Sequence, residues 1–248
     1  MQPSPDLQLL NLPSYDVQEN RRARNVHLKI LPSGSLQVIV PPGFSHDRIP
    51  EIVHKKRHWI EKVQKRLQEQ RTTLGFDLAA PLPTNIFLRA IAQDWQVHYD
   101  QTADPRVILR QGTPSSLILS GSTDQAEVCR VALRQWLADL ARMNLIPWLE
   151  ILSQDMELQF VKATIRGQRT RWGSCSRRKT ISLNYKLMFL PPHLVRYVFI
   201  HELCHTVHLN HSQKFWELVR EKEPDYRQLD QELHNSCCYV PLWVESHL

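Results

Sequence analysis

The sequence predicts an α+β protein, with a β-rich N-terminal part that carries one long helix and a C-terminal part built around a buried helix. Three observations predict it. Apolar residues alternate at period two in several short runs before residue 121. They recur at helical spacing over 46–70 and again from 124 onward. A largely apolar segment, 194–209, carries two histidines and a glutamate in its middle.

Residues 1–20, rich in Pro, Ser and Asn, read as a loose tail. Val26, Leu28 and Ile30 alternate with polar residues, as do Leu36, Val38 and Val40. The turn residues Pro32-Ser33-Gly34 between them make a strand pair. Ile49, Ile52, Val53, Trp59, Ile60, Val63 and Leu67 then form a helical stripe, with Ser45 placed to cap it. Short strands follow near 86–92, 95–99, 106–110 and 116–120. Asp124 and Glu127 have capping-box spacing, and the helix they open carries Val128, Val131, Leu133, Trp136, Leu137 and Leu140 until Pro147, which should kink or break it. A strand over 157–165, a basic loop over 166–180 and a strand at Ile181 and Leu183 lead to Pro191-Pro192, which suits the first turn of a helix. These elements suggest a tail (1–20), a β-rich domain (21–121) and a C-terminal domain (122–248), with the boundary at Gly121-Ser122.

Composition narrows the function classes. A net charge of +6 is a modest basic excess, short of the footprint of a dedicated nucleic-acid binder, so no stable nucleic-acid complex is expected. No apolar run approaches the roughly 20 residues of a membrane-spanning helix. The N-terminus lacks the pattern of a secretory signal. The five cysteines are odd in number and form no CxxC pair, as expected of reduced thiols in a cytoplasmic protein.

The chemistry is concentrated in His201-Glu202-Leu203-Cys204-His205. Histidines four apart stack on one helical face and can share one zinc ion, Zn2+. The glutamate beside the first is placed to take a proton from an activated water. HExxH also occurs by chance, but two histidines and a glutamate inside an apolar helix are costly to bury without a partner, and a metal supplies one. A third protein ligand is needed. A helical His208 would share the face but lie about 10 Å along the axis from His201. Glu217 or Glu221 could arrive from downstream. His211 follows Asn210, a residue that tolerates the left-handed conformation in which helices end, and a chain turning there would present His211 to the metal. Ser212 could then cap a helix containing Phe215 and Trp216. This geometry favours His211.

The motifs Arg171-Trp172-Gly173-Ser174-Cys175, Leu183-Asn184, Pro191-Pro192, His201 to His205, and Asn210-His211-Ser212 followed by Phe215-Trp216 together resemble the YgjP-like metallopeptidase family. Arg22 to Pro42 and Trp59-Ile60 are also similar, and the likeness spans most of residues 20–240. Cys204 and His208 lie outside the family pattern. The resemblance implies a zincin-like, minimal gluzincin-like catalytic domain, zinc on the two HExxH histidines, and a third histidine in the Asn-His-Ser segment.

Of the basic loop residues Arg166, Arg169, Arg171, Arg177, Arg178 and Lys179, Arg171 is the best candidate to bind an anionic group on a substrate, because it sits in the shared motif. The others read as a solvated loop. By analogy with zincins, strand 181–184 would border the cleft and pair with an extended peptide, placing Asn184 near the metal. Tyr185 and Tyr226 could stabilise an oxyanion. Cys175 reads as a small buried residue, and Phe215 and Trp216 as core packing. The resulting function is a zinc-dependent hydrolase cleaving peptide or protein substrates, with Glu202 as general base. Two alternatives are a zinc phosphohydrolase with a nucleotide as its anionic ligand, and a non-catalytic or DNA-associated metal-binding module.

Overall fold

In the computed structural model, residues 12–31, 34–75 and 80–245 are described. Backbone contacts divide the chain into two units, 1–78 and 79–248. Among the described residues there are six α-helices and three small sheets, a mixed α and β content of the α+β kind. None of these helices is long and apolar enough to cross a membrane. No disulfide joins the five cysteines.

The first unit holds strands β1 (Tyr15–Glu19), β2 (His27–Ile30) and β3 (Leu36–Val40) and helices α1 (Ile49–Lys55) and α2 (Arg57–Thr73). β2 and β3 are the expected antiparallel pair, with His27 opposite Ile39 and Ile30 opposite Leu36. Residues 15–19 are not tail: they pair in parallel with the other side of β3, Tyr15 opposite Leu36. The rest of the expected tail, up to residue 11, lies outside the described residues. The alternation of Leu36, Val38 and Val40 works as read, because all three are buried against Ile49, Val53 and Ile60. The long helix is broken at Lys56, and it starts with a 3-10 turn, 46–48, where Ser45 makes no side-chain cap.

In the second unit, β4 (Asn85–Leu88), β5 (Gln93–Gln101), β6 (Ile108–Gly112) and β7 (Ser116–Gly121) form a sheet in the order β4-β5-β7-β6, with β5 and β7 parallel. Helix α3 (Ala126–Asp155) crosses it, and Trp95 of the sheet meets Trp136 of the helix edge-on at 5.2 Å. Leu117, Leu119, Leu133 and Leu137 are fully buried in that interface, each stabilising by roughly 1.5–3 kcal/mol. This shared core is why no division falls at Gly121-Ser122. Gly121 instead serves a tight turn: its φ is +129°, and a Cβ there would lie 1.8 Å from the Arg106 carbonyl oxygen.

α3 starts without the expected capping box and is not broken at Pro147. Its N-cap is Gln125, without a side-chain bond, while Asp124 accepts from Gln101 Nε2 and Glu127 pairs with Arg130 and Arg134, so no capping box forms. The helix also runs through Pro147. Proline lacks the N–H that would bond the carbonyl of residue 143; Met143 is exposed, so water can serve that carbonyl instead.

The rest of the unit comprises β8 (Lys162–Arg166), β9 (Gly173–Cys175), β10 (Thr180–Asn184), α4 (Pro192–Cys204), α5 (Gln213–Lys222) and α6 (Tyr226–His234). The three strands form a sheet in the order β8-β10-β9, with β8 parallel and β9 antiparallel to β10. The basic loop therefore contains a strand that the sequence does not announce. Helix α4 begins at Pro192 as expected and packs on α3 through Phe199 against Trp148.

Candidate metal centre

α4 is apolar nearly all round, and its residues from Leu194 to Cys204 are mostly fully buried. A helix buried this deeply leaves polar groups on it unsolvated unless they find partners. His201 lies in its last turn. His205, its C-cap, is still in the right-handed helical region, and its N–H donates to the His201 carbonyl at 3.2 Å. The two imidazoles therefore stack on one face, with ring centroids 4.9 Å apart.

The helix stops one turn earlier than Asn210. The Thr206 hydroxyl takes the Leu203 carbonyl at 2.7 Å, and the N–H groups of Val207 and His208 both close on Cys204. Asn210 is not among the residues with positive φ. The chain turns back over 206–211 and delivers His211 to the other two. Its Nε2 lies 3.1 Å from that of His201 and 3.2 Å from that of His205. Ser212 is the N-cap of α5, as expected, but caps without a side-chain bond.

This geometry fits a metal. Three imidazole ligands at a bond length of about 2.0–2.1 Å around a tetrahedral ion have nitrogens about 3.3 Å apart. Among the described residues, His201, His205 and His211 are the group whose donor atoms converge in this way. Their protonation agrees. His205 Nδ1 lies 2.9 Å from the His208 carbonyl, which fixes the proton on Nδ1 and leaves the Nε2 lone pair to face inward. Burial, then the charges of His205 and His211, push the His201 pKa down to about 3. Burial also lowers that of His205, against the opposing effect of the His208 carbonyl. Imidazole lone pairs that converge repel one another unless a proton or a cation lies between them. His208 thus contributes through its backbone, as any residue could, while its side chain lines a separate surface cavity of about 730 Å³ with Lys214, Glu217 and Glu221.

An aromatic wall surrounds the imidazoles. Phe215 stacks on His205 with centroids 4.4 Å apart and meets His201 and His211 edge-on. Trp216 stacks on His211, and Tyr226 stacks on the next face of the ladder against Trp216. Phe215 and Trp216 pack as the sequence suggests, but what they pack is the histidine cluster. Their positions four and five residues beyond His211, on the helix that follows it, are the signal that could have shown this. Tyr185 is held away from the imidazoles: it is half-buried against Gly167, within reach of the charges of Arg134 and Glu245.

Glu202 is 5% exposed, and its Oε2 has no hydrogen-bond partner among the described residues. Burial raises its pKa to about 8, with the Arg171 guanidinium pulling the other way. A buried carboxyl with one oxygen left unpaired is poised for a ligand or a water. Arg171 is exposed and stands near enough for its charge to act on Glu202. Asn184 is placed otherwise than expected. It is buried, its Nδ2 donates to the carbonyls of Gln168 and Arg171 at 2.7 and 2.8 Å, and its Oδ1 accepts from the Lys186 N–H. With both amide N–H groups donated, Asn184 staples the loop before β9. β10 itself is flanked by β8 and β9, so residues 181–184 have no free edge for a peptide. β9 occupies the edge of this sheet.

No curated protein and no solved structure matches the chain. A family model described as YgjP-like, metallopeptidase domain, matches residues 24–236. That span takes in every group of the site just described, from Arg171 and Gly173 to Trp216, and the chain therefore belongs to the YgjP-like metallopeptidase-domain family, whose character is that of a metal-dependent hydrolase.

Proposed function

We propose that the protein is a zinc-dependent peptidase of zincin-like design. The observation that carries this reading is the convergence of three imidazoles beside a buried carboxyl whose Oε2 is unpaired among the described residues. His201, His205 and His211 would hold the ion. When bound, zinc lowers the pKa of a water and polarises the carbonyl under attack. Glu202 accepts the proton of the attacking water and passes it to the leaving amine. Burial outweighs the Arg171 guanidinium and holds this carboxyl protonated at neutral pH, and a bound cation beside it would favour its charged form. Phe215 and Trp216 shield the ligands from water on the α5 side.

An extended substrate would pair with β9, Gly173–Cys175, the one of the two edge strands, β8 and β9, whose Gly173 lies against Glu202. Arg171, just before that strand, would bind an anionic group of the peptide. The test is a side-by-side assay of unfolded casein-like peptides and nucleoside triphosphates at fixed zinc. Slow peptide cleavage is expected, inhibited by a hydroxamate, with no nucleotide hydrolysis. Hydrolysis of nucleotides alone would reverse the assignment to a phosphohydrolase.

A further inference from the structure

β9 meets α4 at a point that the proposed chemistry leaves unexplained. A Cβ on Gly173 would lie 2.6 Å from Glu202 Oε1, 2.7 Å from its Cγ and 2.9 Å from its Cδ. Backbone freedom does not account for a glycine here. Gly173 is in a strand and is not among the glycines with positive φ. Glycine weakens a strand and is found inside one where another group approaches closely. The approaching group is the Glu202 carboxylate.

Neither side can retreat. Gly173 is paired with Leu183, which is fully buried. The residue before it is held by the Asn184 N–H donating to the Trp172 carbonyl at 2.9 Å, and Arg171 by the Asn184 side chain. Glu202 stands on a helix buried in the core. We propose that Gly173 is a positioning residue whose bare Cα lets β9 close on Glu202, confining that carboxylate to the one arrangement in which its free oxygen faces the metal site. The inference rests on Glu202 being the proton acceptor. The three atoms nearest to a methyl at 173 all belong to Glu202, so the smallest side chain there presses on the carboxylate first.

The experiment compares Gly173→Ala in the wild-type background and in Glu202→Ala, which lacks the Cγ, Cδ and Oε1 atoms that the added methyl meets. Zinc content, thermal stability and hydroxamate affinity by calorimetry are measured for all four proteins, and kcat and KM on a peptide for the two that keep Glu202. Gly173→Ala is expected to keep its zinc and to weaken hydroxamate binding about tenfold, as loss of a hydrogen bond to a charged group does. Its kcat is expected to fall about 100-fold, the scale of an ångström-sized misplacement, with KM little changed. In the Glu202→Ala background the same substitution should leave affinity and stability nearly unaltered. If Gly173→Ala destabilises the fold, Glu202→Ala should relieve the loss, because it removes the atoms the methyl meets. Unchanged hydroxamate affinity in Gly173→Ala overturns the proposal, and so does an equal loss in both backgrounds or a destabilisation that Glu202→Ala does not relieve. Wild-type protein that binds zinc and hydroxamate but cuts no peptide contradicts the peptidase reading instead, and leaves the hydroxamate comparison valid.

Discussion

Glu202→Gln is expected to retain its metal and to lose roughly 10²–10⁴-fold in kcat, the range that a positioned general base supplies. The amide is nearly isosteric, so it still fits beneath Gly173, where the carboxylate is tightly held. It cannot accept a proton. Its buried environment also favours a neutral group: burial pushes the Glu202 carboxyl up to about 8 even against the Arg171 charge. The variant should therefore fold at least as well as the wild type in the metal-free state. Metal analysis, thermal melting and peptide turnover measured together check this. Comparable turnover would remove Glu202 from the reaction, and loss of metal would mean that it acts as a ligand.

The second large effect concerns the third ligand. His211→Ala should weaken zinc binding by more than about 100-fold, since losing even a hydrogen-bonding partner of a ligand gives 10–100-fold. His208→Ala should leave affinity close to wild type, because the group that orients His205 is the backbone carbonyl of residue 208, which alanine retains. Competition with a chelator under identical conditions measures both. Loss of metal in the His208 variant with retention in the His211 variant would mean that the turn over 206–211 runs differently from the one seen here.

The parts of the site legible in the sequence are those set by local periodicity. Spacing of four on an apolar helix places His201 and His205, and the cost of burying Glu202 between them points to a metal. His211 was reachable too, but by a wrong detail. The expected left-handed Asn210 does not occur; the Thr206 hydroxyl and the Cys204 carbonyl end the helix a turn earlier, and the chain still comes back. The third ligand depends on the chain reversing between 205 and 211, and several backbone routes achieve that. What was not legible depends on pairing between distant segments. β1 reads as tail because its strand pairs on the far side of β3, a partner no local pattern names. β9 is three residues long within a run of arginines, so it has no alternation to detect, and its discovery moves the substrate edge away from 181–184. Asn184 looked like a cleft residue because it neighbours the site in sequence motif. Its two donated bonds to residues 168 and 171 are tertiary facts. Likewise Gly121 looks like a linker, and is instead a glycine required by a 1.8 Å approach to Arg106.

The central claim is that one ion sits among these three imidazoles. Zinc analysis of the purified protein combined with X-ray absorption at the zinc edge tests it most directly. The account predicts about one zinc per chain, bound by three imidazole nitrogens at about 2.0–2.1 Å with one oxygen completing the shell, and removable by a chelator with loss of hydrolysis. A protein that carries no divalent metal and hydrolyses peptides at full rate, or a zinc held by sulfur, would contradict it.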